Sequence, residues 1–362
     1  MEVSDYFSTS YNEAREKFLK ATYVSDAQVE SIKHPHIGPN GEPLFIDVAV
    51  IGPPDAKNVL VLSSGTHGVE GFAGSGIQTG LLREGMVSTL KPNIRIVMIH
   101  AINPYGFAHL RRANEDNVDL NRNFIDHSKP YPKNDGYAEL ADVISPKSIS
   151  AWENTKSRLR FLWYRLKNGR AALIQAVIGD QYTHPHGLFF GGHHETWSNK
   201  TLQEIARRYL SNARKVISID FHTGLGTHGN AEVIMNVKAN SPTYKRAVQW
   251  WGDRVKTTVS GESLSVHLQA SLKLIIPKMI PHAEITAVSL EFGTYPAKKV
   301  LWALRAENWL HHYGGENHPK AQKIKAELLK VFYPDTEEWK LQVWQQGKEI
   351  VDQALLSINP SQ

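Results

Sequence analysis

The sequence of 362 residues contains no cysteine. This absence excludes disulfide bonds, thiolate metal sites, iron–sulfur clusters and cysteine nucleophiles. A chain of this length can bury enough apolar surface to fold without disulfides. The lack of cysteine also favours a reducing compartment, and the acidic, polar first residues lack the pattern of a signal peptide. We therefore expect a cytoplasmic protein.

Long hydrophobic runs are missing as well, and no stretch of the sequence is apolar enough to span a membrane. The formal net charge is +5, but the basic residues are spread over helical segments such as residues 156–170. Such a distribution is typical of a solvated helix face and not of a nucleic-acid-binding patch. We expect neither a membrane nor a nucleic acid as a partner.

Apolar strands alternate with amphipathic helices along the chain. The pattern predicts strands at residues 44–51, 59–63, 94–100, 216–221, 231–237 and 285–292. It predicts helices at residues 10–19, 71–82, 137–144, 149–166, 301–310 and 321–332, and a last helix after residue 334. This alternation predicts an α/β fold with a mostly parallel sheet between two layers of helices.

We expect one domain over residues 1–362. Residues 125–214 combine helical patterns with a histidine-rich loop, and we interpret them as a helical insertion within that domain. Residues 300–362 are predicted to form C-terminal helices. The loop contains His184, His186, His193 and His194, which we interpret as polar loop residues, with additional metal ligands as the alternative.

A histidine and a glutamate directly follow the predicted strand at residues 59–63. His67 and Glu70 are three residues apart, so an imidazole and a carboxylate can bind one divalent ion from the same side. His222, after residues 216–221, would complete a three-ligand zinc site with one open position. Taken singly, the pair also fits a helix N-terminus, and His222 fits an ordinary residue at the end of a strand.

Two acidic residues on predicted strands extend this candidate site. Asp220 shares a strand face with His222, and it either hydrogen-bonds to that candidate ligand and orients it or forms a salt bridge. Glu291 is flanked by apolar residues on the predicted strand at residues 285–292. A carboxylate there needs a partner. It is either a general base beside a metal-activated water or part of a structural ion pair.

The loop after residues 94–100 is rich in side chains that bind anions. It contains Arg111, Arg112, Asn121 and Arg122. The planar arginine fork suits a carboxylate, and an arginine near a metal can stabilise an oxyanion. A solvated surface loop is the alternative. A phosphate-binding loop at residues 65–76 is a weaker interpretation, because no lysine follows the glycines.

Taken in order, these motifs resemble those of the zinc carboxypeptidase superfamily, which includes cytosolic carboxypeptidases, murein-peptide amidases and the aspartoacylase and succinylglutamate desuccinylase branch. The resemblance depends on residues 67–70, 103–104, 112, 119–123, 220–223 and 291, within about residues 44–295. Residues 65–71 and 114–124 look most like a branch known mainly as a domain of unknown function. The resemblance implies a three-layer α/β/α fold around a central mixed sheet of about eight strands.

The resemblance also implies a role for each residue that matches a motif. His67, Glu70 and His222 match the ligands of a single zinc ion. Glu291 matches the glutamate that activates the water bound to zinc, and Arg112 matches the arginine that polarises the scissile carbonyl.

The carboxylate-binding pair of the superfamily matches Asn121 and Arg122. Arg111 remains a further substrate-binding candidate. It matches the arginine that polarises the carbonyl less well than Arg112 does, because the spacing from Arg112 to Asn121 fits the cytosolic carboxypeptidases better. The superfamily also has a tyrosine that closes on the substrate. Tyr244 lies in the corresponding interval without matching surroundings, and Tyr295 falls after the glutamate.

Three functions are consistent with this resemblance. The first is a zinc-dependent carboxypeptidase, and the second is a deacylase of N-acyl amino acids that uses the same site. The third is a non-catalytic binding module on a hydrolase scaffold. For either enzyme, we expect the substrate to be a small molecule or a short peptide with a free carboxylate.

Overall fold

Eight β-strands form one sheet in the computed structural model, which describes residues 2–86, 90–259, 268–315 and 317–358. The order of the strands across the sheet is β1-β2-β4-β3-β5-β8-β6-β7. Their bounds are β1 (Gln28–Ile37), β2 (Pro43–Ile51), β3 (Asn58–Ser63), β4 (Ile94–His100), β5 (Lys215–His228), β6 (Ala231–Met235), β7 (Val255–Thr257) and β8 (Glu284–Gly293).

The centre of the sheet is parallel and its edges are mixed. Strands β4, β3, β5 and β8 form three consecutive parallel pairs, and β6 pairs with β7 in parallel. The pairs β1/β2, β2/β4 and β6/β8 are antiparallel. The prediction of a mixed, mostly parallel sheet of about eight strands is confirmed.

Eleven α-helices accompany the sheet in the described part of the chain. They are α1 (Tyr11–Val24), α2 (Gly71–Arg83), α3 (Pro104–Ala108), α4 (Asp135–Ile144), α5 (Ala151–Ile178), α6 (Trp197–Leu210), α7 (Pro242–Trp251), α8 (Leu272–Met279), α9 (Ala297–Trp309), α10 (Ala321–Phe332) and α11 (Glu337–Ile358). Ser10 caps α1 as its sequence predicts, because its hydroxyl accepts a hydrogen bond from the backbone N–H of Glu13.

Alternating side chains of the central strands enter two different cores, which makes the fold three-layered. In β3, Leu60 and Leu62 pack with α1, α2, α7 and α11 on one face. Val59 and Val61 pack with α6 and α8 on the other face. A third core joins α4, α5, α9 and α10 to Val69, which follows β3. This third core lies beside the chain segment that carries the candidate ligands.

Six elements are absent from the sequence prediction: β1, β7, α3, α6, α7 and α8. The strand β1 is an edge strand with mostly exposed side chains, so it lacks the apolar pattern that marks a buried strand. Two segments also differ in extent. The strand β5 continues to His228, so His222 lies within the strand and not after it. The predicted polar loop at residues 103–123 contains α3 and a short 3₁₀ helix, Leu120–Arg122.

The helix α5 is longer than predicted and is broken at Gly169, where φ is 87°. A β-carbon at Gly169 would have no atom within 4 Å, so a side chain would not be excluded by steric contact. Glycine is favoured at this position because of the positive φ. None of the described helices is long and apolar enough to cross a membrane. The single domain, the insertion at residues 125–214 and the cytoplasmic location stay predictions, and residues 359–362 of the predicted C-terminal helices lie outside the described residues.

Candidate metal centre

The two candidate ligands after β3 are held by a tightly packed loop. His67 precedes a 3₁₀ helix, Gly68–Glu70, which leads directly into α2. A β-carbon on Gly68 would lie 2.0 Å from the carbonyl carbon of Gly106 in α3, so only glycine fits at this position. This close packing presents both His67 and Glu70 at the carboxyl end of β3.

The three predicted metal ligands lie together, and all three are buried. Nδ1 of His67 is 2.9 Å from Oε1 of Glu70, and Nδ1 of His222 is 3.0 Å from Oε2 of the same carboxylate. One ligand atom from each residue lies within 4.8 Å of the others. In the described part of the chain, this is the one group of three or more such side chains that could hold a metal ion.

The geometry of these residues fits a divalent metal ion. Nδ1 of His67 is buried and makes no hydrogen bond, although a carboxylate oxygen is close to it. A buried nitrogen without a partner is costly, and a cation shared with Glu70 and His222 would satisfy it. Two imidazole nitrogens and one carboxylate oxygen are a donor set that suits Zn²⁺.

The opposite nitrogen of each imidazole is held by an aspartate. Nε2 of His67 lies 3.0 Å from Oδ1 of Asp119, and Nε2 of His222 lies 2.6 Å from Oδ2 of Asp220. Hydroxyl groups of Ser63 and Thr66 donate to Asp220 in turn. Carboxylates in this position fix the orientation of metal-binding imidazoles and make them stronger ligands.

The role of Asp119 was not predicted from the sequence. Its position in the motif at residues 119–123 was the available signal, but nothing in the motif pairs it with His67. Burial opposes ionisation of Asp119, but the charges of Arg122, Arg112 and His67 outweigh burial and hold its pKa well below the usual value. Asp119 is therefore ionised at neutral pH, and its negative charge lies beside the candidate ligand His67.

The charges around His222 are also strongly coupled. Burial disfavours its imidazolium, but Asp220 and Glu70 outweigh burial and raise the pKa of His222 to about 10. Burial likewise opposes ionisation of Glu70, yet His67 and Arg112 lower the pKa of this carboxyl group. Without a metal, the proton on His222 is thus held between these carboxylates, and a bound cation would take the place of that proton.

Glu291 lies on the strand next to His222. The two residues are direct partners in the parallel ladder of β5 and β8. The backbone N–H of Leu225 donates to Oε1 of Glu291 at 2.9 Å. Burial and the charge of Glu70 raise the pKa of Glu291, against the opposing effect of His222. A carboxylate with a raised pKa beside a metal site has the properties of a general base.

A pocket of about 150 Å³ opens at this centre. It is lined by the three candidate ligands and by Glu291, and the positive charge on its wall comes from Arg112, Arg122 and Lys273. Asn121 also lines the pocket, and its side-chain oxygen accepts a hydrogen bond from the backbone N–H of Leu272. The structure therefore brings most of the predicted site residues into one cavity.

Among the pocket residues that the sequence did not predict are Lys273 and Phe189, since neither belongs to a recognisable motif. The ammonium group of Lys273, on α8, lies 3.3 Å from the hydroxyl of Ser289. Burial lowers the pKa of Lys273 to about 8, against the charges of Glu291 and Asp220. Phe189 has a φ of 60°, and its ring lies beside the guanidinium groups of Arg112 and Arg122.

Arg111 does not line this pocket. Its Nε donates to Glu307 at 2.9 Å, and its Nη2 donates to Asn117 at 2.8 Å. The guanidinium is buried in this network, behind the loop that carries Arg112. Its position favours a structural role, and substrate binding by Arg111 has no support from the geometry.

The remaining candidates also lie outside the pocket. Tyr244 is on α7, and Tyr295 borders a neighbouring apolar groove. His184 is paired with the hydroxyl of Thr183. Of the other loop histidines, His186 stacks on His312 and His193 contacts the carbonyl of Tyr182.

The fold and the site define an α/β protein with a buried His-Glu-His centre that could hold a metal ion. The chain belongs to the family described as "Protein of unknown function (DUF2817)", whose model matches residues 7–346. This match confirms the branch that the motifs indicate. No curated protein matches the chain.

Several solved structures are similar to the chain at low sequence identity. Bovine thrombin-activatable fibrinolysis inhibitor, in complex with tick carboxypeptidase inhibitor, is 14% identical with a TM-score of 0.46, over 96% of this chain and 98% of that chain. Carboxypeptidase A from Helicoverpa armigera is 12% identical with a TM-score of 0.47, over 91% and 75% of the two chains. Succinylglutamate desuccinylase from Chromobacterium violaceum is 14% identical with a TM-score of 0.38, over 88% and 74%.

Proposed function

We propose that this protein is a zinc-dependent hydrolase of amide bonds, carboxypeptidase-like in its chemistry, whose substrate carries a free carboxylate. The observation that supports it best is the arrangement of His67, Glu70 and His222 around one point, with Glu291 on the adjacent strand. Three protein ligands with an open position are the pattern of a catalytic zinc site, since structural sites use four protein ligands.

His67, Glu70 and His222 would hold the metal. A bound Zn²⁺ supplies Lewis acidity and lowers the pKa of a coordinated water towards neutrality. Glu291 acts as the general base that removes a proton from the attacking water, and its raised pKa favours this step. The same carboxyl group then passes the proton to the leaving amine.

Arg112 stabilises the negative charge that develops on the carbonyl oxygen. Its guanidinium borders the pocket and is oriented by Glu70 at 2.6 Å and by Asp119 at 3.1 Å. A charge that is fixed before the reaction stabilises an oxyanion without a cost of reorganisation. The ring of Phe189 limits the access of water to the same guanidinium.

The free carboxylate of the substrate binds at the wall formed by Asn121, Arg122 and Lys273. All three side chains line the pocket, and two of them are cationic. Nη2 of Arg122 already donates to the carbonyl of Ile178, which orients the guanidinium. Lys273 adds an ammonium group whose partner in the pocket wall is the neutral hydroxyl of Ser289.

A deacylase of N-acyl amino acids is the second candidate within this proposal. The small volume of the pocket, about 150 Å³, suits one amino acid better than several residues of a peptide. We also propose one catalytic domain with a helical insertion at residues 125–214, and a cytoplasmic location.

The direct test is a panel of short peptides and N-acyl amino acids, assayed with the purified protein before and after treatment with a chelator. We expect turnover that is lost with the chelator and restored by Zn²⁺. Elemental analysis should find one zinc per chain in the wild type and little in His67→Ala. One metal ion per chain without turnover of any amide would instead favour the third function, a non-catalytic binding module.

A further inference from the structure

An apolar groove of about 650 Å³ runs along α5 and the start of α9. One wall consists of Phe161, Leu162, Leu173 and Ile174 from α5, and the other includes Tyr295 and Trp302. The break at Gly169 separates the two arms of α5, and both arms contribute apolar side chains to the same wall. A groove of this size and composition is typical of a ligand-binding site.

The groove is continuous with the candidate catalytic pocket. Ile178, Leu225, Ala297 and Leu301 line both cavities, and all four are apolar. Leu225 also supplies the backbone N–H that binds Glu291, so the junction of the two cavities lies next to the proposed general base. A ligand in the groove can therefore reach the reacting groups.

The two connected cavities differ in their chemistry. Lys273, Arg122 and Asn121 line the catalytic pocket but not the groove. The cationic residues of the groove, Arg158, Arg165, Arg170 and Lys298, are all exposed, whereas its buried and half-buried side chains are apolar or aromatic. The complementary ligand thus has a charged end with a carboxylate, a reactive bond near Glu291 and a long apolar end. An amino acid that carries an acyl chain on its nitrogen has these three parts in this order.

The walls of the groove favour an acyl chain over a peptide. Both long walls are formed by side chains of helices, whose backbone N–H and C=O groups are hydrogen-bonded within the helix. An extended peptide would find few partners for its own backbone groups there, and buried unpaired backbone groups are costly. An alkyl chain has no such groups and loses only its contact with water.

We propose, on the basis of the hydrolase function above, that the groove binds the acyl chain of a long-chain N-acyl amino acid. The scissile amide then lies at the junction beside Leu225, and the amino acid lies in the small pocket. Water adds to the amide carbonyl, the C–N bond breaks, and the products are a fatty acid and a free amino acid. The nitrogen of the leaving amino acid receives the proton from Glu291.

The test is a series of N-acyl-L-glutamates and N-acyl-L-alanines with acetyl, hexanoyl, octanoyl, decanoyl and dodecanoyl chains, used below their micelle concentrations. We expect kcat/KM to rise about two- to fourfold with each added methylene until the groove is filled, because each buried CH₂ contributes up to about 0.8 kcal/mol. Equal rates across the series, or a preference for apolar peptides of the same length, would overturn the proposal.

Two leucines on the same helix offer a matched pair of variants. Leu162 lines the groove and is 51% exposed, whereas Leu159 is 61% exposed and does not line it. Leu162→Gln should lower kcat/KM for the dodecanoyl substrates at least tenfold and leave the acetyl substrates unchanged. Leu159→Gln should behave as the wild type with both, and equal behaviour of the two variants would contradict the assignment.

Binding separates a failure of this proposal from a failure of the hydrolase proposal. Calorimetric titration of dodecanoate, octanoate and acetate into the chelator-treated protein measures occupancy of the groove without turnover. Binding that strengthens with chain length and weakens in Leu162→Gln would support the groove even if no amide were cleaved. Turnover of amides without any such binding would leave the hydrolase proposal in place and remove the acyl-chain site.

Discussion

Nε2 of His67 lies 3.0 Å from a carboxylate oxygen of Asp119, a residue 52 positions further along the chain. The other nitrogen of the same imidazole faces Glu70 at 2.9 Å. Nη2 of Arg112 lies 2.9 Å from the same nitrogen and can only donate, so the tautomer with Nδ1 free to bind a metal is the one in which Nε2 donates to Asp119. This pairing holds the loop after β4, which carries Asp119, against the loop after β3, which carries His67.

Replacement of this carboxylate should weaken the metal site. We expect Asp119→Asn to lower zinc affinity about 10- to 100-fold, because the amide neither orients nor polarises the imidazole as a carboxylate does. Competition with a chromophoric chelator measures the affinity, and Asp126→Asn, at an exposed aspartate of the same segment, is the control. Equal affinities of the two variants would exclude this role for Asp119.

Loss of the proposed general base should separate metal binding from turnover. Glu291→Gln keeps the shape of the side chain and its contact with Leu225, so we expect one zinc per chain to remain. Since general-base catalysis typically contributes about 10²- to 10⁴-fold, kcat should fall by a factor in that range. Steady-state assays with elemental analysis of the same samples test this, and full activity would remove the assignment.

Replacement of Arg112 should affect catalysis, whereas replacement of the adjacent Arg111 should affect stability. Arg112→Met should lower kcat by about 10²- to 10³-fold, as expected for a group that stabilises an oxyanion. Arg111→Met leaves the buried carboxylate of Glu307 with Lys325 alone and should reduce the free energy of unfolding by about 3 kcal/mol. Urea unfolding and steady-state kinetics on both variants give the comparison. The reverse pattern would assign the catalytic role to Arg111.

A buried histidine outside the site should make the fold sensitive to acid. His100 stacks on Phe18 and pairs with the hydroxyl of Ser75, and burial lowers its pKa to about 4. The unfolded chain takes up this proton near pH 6.5, whereas the folded chain does so only near pH 4. The free energy of unfolding therefore falls as the pH drops through this interval, by up to about 1.4 kcal/mol per pH unit.

The corresponding variant tests this contribution. His100→Gln should reduce stability at neutral pH, because the stacking on Phe18 is lost, and should flatten the dependence on pH between 6.5 and 4. Denaturant unfolding at a series of pH values measures both effects. If the free energy of unfolding changes with pH equally in the variant and in the wild type, His100 is not the residue that responds to acid.

Local sequence patterns are sufficient to predict most of the sheet and the three candidate metal ligands. The parallel strands β3, β4 and β8 are short, apolar and bounded by turns, so their local pattern is sufficient to predict them. His67, Glu70 and His222 were predicted for a similar reason, since strand carboxyl ends in α/β sheets converge and place polar residues together.

The side chains that support and surround the candidate metal centre follow from long-range packing, which local patterns do not encode. The pairing of Asp119 with His67, the position of Lys273 in the pocket and the removal of Arg111 from it depend on contacts between distant segments. The apolar groove depends on the break at Gly169 and on packing between α5 and α9. Local periodicity reports which face of an element is buried, but it does not report which other element covers that face, and this choice sets the chemistry of a cavity.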